Sequence, residues 1–132
     1  MHKELIISII IIIAIIVTNS ITQKFTQNTI STVSESLQNV KTSIEKIENE
    51  KENPELAQKR ANETQEKWHI SRDKLAYYIE HDEIEKMETE LVAMVAYIEQ
   101  EEYAEAVASI ERAKYIIEHI QEKEKLTLIN IF

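Results

Sequence analysis

Residues 5–17 read LIISIIIIIAIIV, and this stretch decides how the rest of the chain is organised. Apart from Ser8 it is apolar on every side of a helix, and after three polar residues it extends to Ile21. Such a run belongs in a bilayer or in a secretion channel. Everything after it then stands on one side of a membrane, either tethered to it or released from it.

The length of the run favours a short membrane anchor over residues 1–21. A hydrocarbon core of about 30 Å needs about 20 apolar residues, whereas a helix from Leu5 to Ile21 covers about 25 Å. Local thinning and flanking residues such as Lys24 and Phe25 accommodate that difference. The competing interpretation is a cleaved signal peptide, whose apolar core has about 7–15 residues. It is disfavoured because no Ala-x-Ala cleavage site follows the run.

The few charges near the run set the expected orientation. Lys3 and the amino terminus favour a cytoplasmic N-terminus, and acidic residues count for little in this bias. The sequence therefore predicts a single-pass protein of the cell membrane that contacts the bilayer from Leu5 to Ile21, with its C-terminal domain outside the cytoplasm.

The composition of the remaining chain favours an all-α fold and excludes several functions. There is no Gly, no Cys, and Pro54 is the only Pro, while sheet proteins need turn residues. Absence of Cys excludes disulfides and thiol chemistry. The net charge of −9 disfavours nucleic acid and anionic lipid headgroups as partners, because binding phosphates needs basic clusters.

Apolar residues after the run fall on one helical stripe. They are Ile30, Val33, Leu37, Val40, Ile44 and Ile47, spaced alternately by three and four residues. Nothing between the run and this stripe stops a helix, so the anchor is expected to continue into an amphipathic stalk over residues 22–52. The stripe from Ile30 to Ile47 packs either into a bundle of the same chain or against another copy in a homo-oligomeric coiled coil.

Three further helical patterns fill residues 54–125, beginning with Asn53 as the N-cap and Pro54 as the first helical residue. The second helix should end near Glu80. Asp82, followed by an acidic residue three positions on, resembles a capping box for the third. Short loops between these helices predict an antiparallel up-and-down bundle of three to four helices. The charged segment 122–125 should end the last helix, leaving an apolar tail over residues 126–132.

The sequence contains no motif that carries catalysis. Glu66 and His69 have the spacing of a metal-binding pair, but a di-metal bundle needs two such pairs and two further carboxylates. His81 beside Asp82 reads as a helix-junction histidine. We therefore expect no enzyme activity, no cofactor and no metal site. The tyrosines are typical of a core boundary, and a ligand groove is the alternative.

Residues 68–132 contain a Trp, the sequence Tyr78-Ile-Glu-His-Asp-Glu83, a Glu-rich helical hairpin and the terminal Leu128-Ile-Asn-Ile-Phe132. In these features they resemble a family of small bacterial proteins from spore-forming Gram-positive lineages, classed as a domain of unknown function. It implies a membrane-tethered helical domain without an assigned activity. Residues 22–60 carry no matching motif.

These observations predict a non-enzymatic membrane protein whose acidic helical domain acts through protein–protein contact, with a polytopic membrane protein as one kind of partner. The candidate interaction residues are Trp68, Tyr78, His81, Asp82, Glu83, Asn130, Ile131 and Phe132. The alternative is a ligand-sensing or secreted bundle that binds a small molecule or a metal, with a cavity between the second and fourth helices.

Overall fold

The computed structural model describes the backbone of residues 1–131 and the side chains of residues 1–126. This part of the chain forms four helices: α1 (His2–Glu48), α2 (Pro54–Leu75), α3 (His81–Glu99) and α4 (Tyr103–Ile131). The predicted all-α bundle, with an apolar first helix that runs directly into it, is therefore confirmed.

Helix α1 has two halves of different character. Every large apolar side chain between Leu5 and Ile21 is exposed. Beyond Thr22 one face becomes buried, and Ile30, Leu37 and Ile44 are completely covered. The helix is unbroken because no Gly or Pro interrupts residues 2–48. The chain's own helices thus cover the stripe that the sequence singles out.

The other helices bury the stripes that their spacing predicts. Ala57, Ala61 and Trp68 are buried on α2, and Met87, Leu91 and Met94 are buried on α3. From α4 come Ala106, Ile110, Ala113, Ile117 and Ile120.

The helices stand at the corners of a four-helix bundle. Among the described residues, α1 packs against α2 and α4, α3 packs against the same two helices, and α1 lies diagonal to α3. The α1–α2 and α3–α4 connections are therefore at the end far from the apolar run. The α2–α3 connection is at the near end, where the Thr22 hydroxyl donates a hydrogen bond to the Tyr78 hydroxyl (3.4 Å).

The α1–α2 and α3–α4 connections reverse the chain direction in the same way, without glycine. Glu50 and Glu101 adopt left-handed backbone angles, with φ of 57° and 58°. In each case the next N–H bonds to the carbonyl five residues back, as from Lys51 to Lys46 (2.8 Å) and from Glu102 to Tyr97 (2.8 Å). These are Schellman caps, in which Glu occupies the position that Gly usually takes.

Helix boundaries differ from the sequence predictions in three places. Helix α2 ends at Leu75, before Glu80. Glu80 is the N-cap of α3 and no side chain caps it, so Asp82 does not form the expected capping box and lies in the first turn instead. Helix α4 continues through residues 122–125 to Ile131, because Glu and Lys are good helix formers and cannot end a helix by themselves. The predicted N-cap is correct: Asn53 Oδ1 accepts the Glu55 N–H at 3.0 Å.

Candidate functional site: a groove between α3 and α4

A surface groove follows the seam between α3 and α4. Two adjoining depressions, of about 640 and about 250 Å³, share Asp82 and Lys86 on α3 with Tyr115 and Ile116 on α4. We call this continuous surface the α3–α4 groove. It faces away from α1, which lies diagonal to α3.

The floor of the α3–α4 groove is apolar. Tyr115 is 71% exposed, and Ile116 is half-buried and packs against the core. An exposed tyrosine beside an apolar floor is the kind of surface that protein partners bury.

The walls of the groove carry charges that are mostly paired. Lys86 Nζ lies 3.2 Å from Asp82, and Arg112 Nε lies 3.0 Å from both carboxylate oxygens of Glu90. The hydrogen bond from the Lys86 ammonium holds the pKa of Asp82 below its usual range, and the hydrogen bond that Arg112 donates to Glu90 raises the pKa of Arg112. Asp82 and Arg112 therefore keep their charges at neutral pH.

The end of the groove nearest the anchor contains a buried carboxylate. The Glu83 side chain is 7% exposed, and its Oε1 lies 2.9 Å from His119 Nδ1 and 3.1 Å from Lys123 Nζ. Lys123 also reaches Glu80 at 3.2 Å, and the hydrogen bonds to Glu83 and Glu80 raise the pKa of Lys123. This cluster ties the start of α3 to α4.

The five predicted site residues with described side chains lie in three places: the start of α3, the α2–α3 connection and the core. Asp82 and Glu83 line the groove, where Glu83 is held by α4, whereas His81 is exposed and pairs with Glu85 (3.0 Å). Tyr78 is half exposed at the α2–α3 connection, beside α1. Trp68 is in the core, 1% exposed, and its indole N–H is buried without an acceptor among the described residues.

The remaining three predicted residues belong to the C-terminal tail. The side chains of Asn130, Ile131 and Phe132 lie outside the described residues.

Sequence reasoning missed the α4 side of the groove. Arg112, Tyr115, Ile116 and His119 recur at helical spacing on a face next to the core stripe. That second stripe is the available signal, but taken singly Tyr115 is typical of a core boundary and His119 of a surface position.

Among the described residues, no group of three or more His, Asp or Glu side chains is placed to hold a metal ion. The ligand-binding alternative requires a cavity between α2 and α4. These helices occupy diagonal corners, and Trp68, Ile110 and Ile117 from them are buried in the shared core.

Comparisons with known proteins place the chain in a family. Helix α1 is long and apolar enough near its N-terminus to cross a membrane, and a signal sequence would fit the same description. No curated protein matches the chain, and no solved structure matches it. A family model described as a domain of unknown function (DUF4363) matches residues 22–131, including the stretch 22–60 in which no motif was recognised. The protein therefore belongs to the DUF4363 family.

Proposed function

We propose that the protein is a single-pass membrane protein, without enzymatic activity, whose acidic bundle binds a protein partner in the α3–α4 groove. The observation that carries this proposal is the contrast along α1. Its first half exposes isoleucine on all sides, and its second half is part of a packed bundle. A helix that is apolar all round needs a non-aqueous environment, which a bilayer supplies.

The chemistry of the groove indicates the kind of partner. From Asp82 to Glu90 the groove follows α3 for about two turns, or about 12 Å. That length accepts one or two anchoring side chains of a partner helix. The exposed acids along it, such as Glu85, favour a partner whose apolar stripe is flanked by Lys or Arg.

The position of the groove favours a partner that is itself in the membrane. The groove runs along α3 and α4 towards Lys123, and a further depression joins Lys123 to Asn19 and Gln23 at the end of the apolar run. A helix of a polytopic membrane protein that extends out of the bilayer beside α3 and α4 would reach this surface.

The test is site-specific photocrosslinking in membranes of the native cell. A photoreactive amino acid at Tyr115 should give one discrete protein adduct, and the same group at Ile70, equally exposed on α2, should give none. Glu85→Lys should weaken the adduct by reversing a groove charge, whereas Glu63→Lys on α2 should leave it unchanged. Equal labelling from Tyr115 and Ile70 would contradict the proposed docking surface.

We also propose that the C-terminal tail takes part in this contact, because α4 continues through residues 126–131 towards the end of the bundle nearest the apolar run. Deletion of residues 126–132 should leave the bundle folded and reduce the Tyr115 adduct or the membrane association. A deletion variant that keeps both would exclude a role for Asn130, Ile131 and Phe132.

A further inference from the structure

The α2–α3 connection carries two exposed aromatic side chains that the groove does not use. Tyr77 is 84% exposed and Tyr78 is 50% exposed, and their ring centroids lie 6.4 Å apart. Their neighbour Ile79 is buried in the core and fixes the connection to the bundle. Two exposed tyrosine rings side by side form a surface that another apolar or amphipathic surface can cover.

The height of this pair above the membrane is set by α1. Because α1 is unbroken, positions along it convert directly into distance at about 1.5 Å per residue. The centre of the run from Leu5 to Ile21 is Ile13. Half of a hydrocarbon core of about 30 Å, measured from Ile13, ends about ten residues later, at Gln23.

The α2–α3 connection lies at that same height. The Thr22 hydroxyl donates to the Tyr78 hydroxyl at 3.4 Å, and Gln23 lines one depression together with Tyr78 and Ile79. One turn higher, Lys74 Nζ lies 5.8 Å from the ring centre of Phe25. The base of the bundle therefore coincides with the boundary between hydrocarbon and headgroups.

Tyrosine suits this boundary for a physical reason. Its ring is apolar and its hydroxyl needs a polar partner, so tyrosine is enriched where hydrocarbon meets headgroups. Lys74 and Lys24 flank the pair on α2 and α1, where their ammonium groups can reach lipid phosphates while their stems remain in the apolar layer. The net negative charge of the chain does not oppose this contact, because the contact involves only the two tyrosine rings and the neighbouring ammonium groups of Lys74 and Lys24.

We infer that the α2–α3 connection is a second membrane contact: Tyr77 and Tyr78 insert into the headgroup layer of the bilayer that holds α1. This inference rests on the membrane anchor of the proposed function. Two contacts, the anchor and the tyrosine pair, hold the bundle at a fixed height and a fixed rotation about α1. The α3–α4 groove is thereby presented to a neighbour in the same membrane.

The chain suits a direct test because it contains no cysteine. Single-cysteine variants of the full chain are labelled with a nitrobenzoxadiazole dye and reconstituted in phosphatidylcholine vesicles. Quenching is then measured with lipids that carry a nitroxide in the headgroup or deep in the acyl chain. Ile13→Cys reports the anchor, Tyr77→Cys the connection, and Tyr115→Cys a distant surface.

Tyr115 is a matched control because it is about as exposed as Tyr77. Lys114 Nζ contacts Gln38 Oε1 at 2.8 Å, which places Tyr115 about 24 Å above Thr22 along α1. Asp73→Cys, also exposed and one turn above the connection, provides a second reporter if Tyr77→Cys fails to fold.

The three positions should differ in which nitroxide lipid, if any, quenches the dye. Deep nitroxides should quench the dye at Ile13, headgroup nitroxides should quench it at Tyr77, and neither should quench it at Tyr115. If the dye is quenched at Ile13 but is as unquenched at Tyr77 as at Tyr115, this inference is overturned and the anchor is not. A dye at Ile13 that no lipid quenches would overturn the anchor and this inference together.

Discussion

The two halves of the continuous helix α1 differ in how their apolar residues are arranged and exposed. Residues 5–21 carry apolar side chains on every face, and all the large ones are exposed. Residues 22–48 carry a single apolar stripe, and the bundle covers it. The environment of a helix follows from the arrangement of its apolar residues more than from their number. A single stripe predicts packing within the chain, and an apolar surface on all sides predicts insertion into a membrane.

The largest expected effect comes from weakening the packed half. Leu37→Ala, at a fully buried position, should lower the free energy of unfolding of the bundle by about 2–5 kcal/mol, because it removes buried methyl groups and leaves a cavity. Ile12→Ala in the exposed half should change it little. Chemical denaturation of the full chain in detergent micelles, followed by circular dichroism, measures both. Equal losses would show that the two halves are not different.

The next effect concerns the exposed half. Ile12→Asp places a charge near the middle of the run. A charged residue at the centre of a membrane helix raises the free energy of insertion by about 2.5–3.5 kcal/mol. The fraction of protein that resists alkaline extraction from membranes should fall, while the bundle remains folded. Ile12→Leu is the matched control. Unchanged extraction of Ile12→Asp would mean that the run does not span the bilayer.

A smaller effect is expected where Glu83 at the start of α3 is paired with α4. Glu83→Gln removes the charge that holds His119 and Lys123, and the unfolding free energy should fall by about 1 kcal/mol. Glu63→Gln, on the exposed face of α2, is the control and should be neutral. A Glu83→Gln variant as stable as Glu63→Gln would show that this cluster does not tie α3 to α4.

The smallest effects are pH-dependent and have opposite signs. The hydrogen bond from Lys41 on α1 lowers the pKa of Glu111, so its stabilising contribution is present above the ordinary value of 4.5 and is lost as the pH falls below it. Burial raises the pKa of Glu124, so its contribution is present below 4.5 and is lost as the pH rises. Thermal unfolding of Glu111→Gln and Glu124→Gln across pH 3–7 should therefore change the slope of Tm against pH in opposite directions.

Local patterns predicted the bundle correctly. The stripe from Ile30 to Ile44 is buried as its spacing indicates, and Asn53 caps α2 with Pro54 in its first turn. Such features depend on residues a few positions apart. The end of α4 was mispredicted because residues 122–125 are charged but have good helix propensity, and charge alone does not end a helix.

The site was harder to predict because it depends on long-range pairing. Glu83 and His119 are 36 positions apart in the sequence, and nothing local to either residue shows that they meet. Trp68 is a predicted interaction residue, yet the bundle places it in the core, where it is 1% exposed. Conversely, Tyr115 became notable only when the arrangement of helices left its face uncovered.

The central claim is that α1 carries the bundle on the membrane as one retained helix. The most direct measurement expresses the full chain with a C-terminal tag in a Gram-positive host, fractionates the cells, and treats intact cells with protease. The account predicts full-length protein in the membrane fraction whose tag is removed from outside. A shortened protein in the medium would show that the isoleucine run is a cleaved signal, and would contradict it.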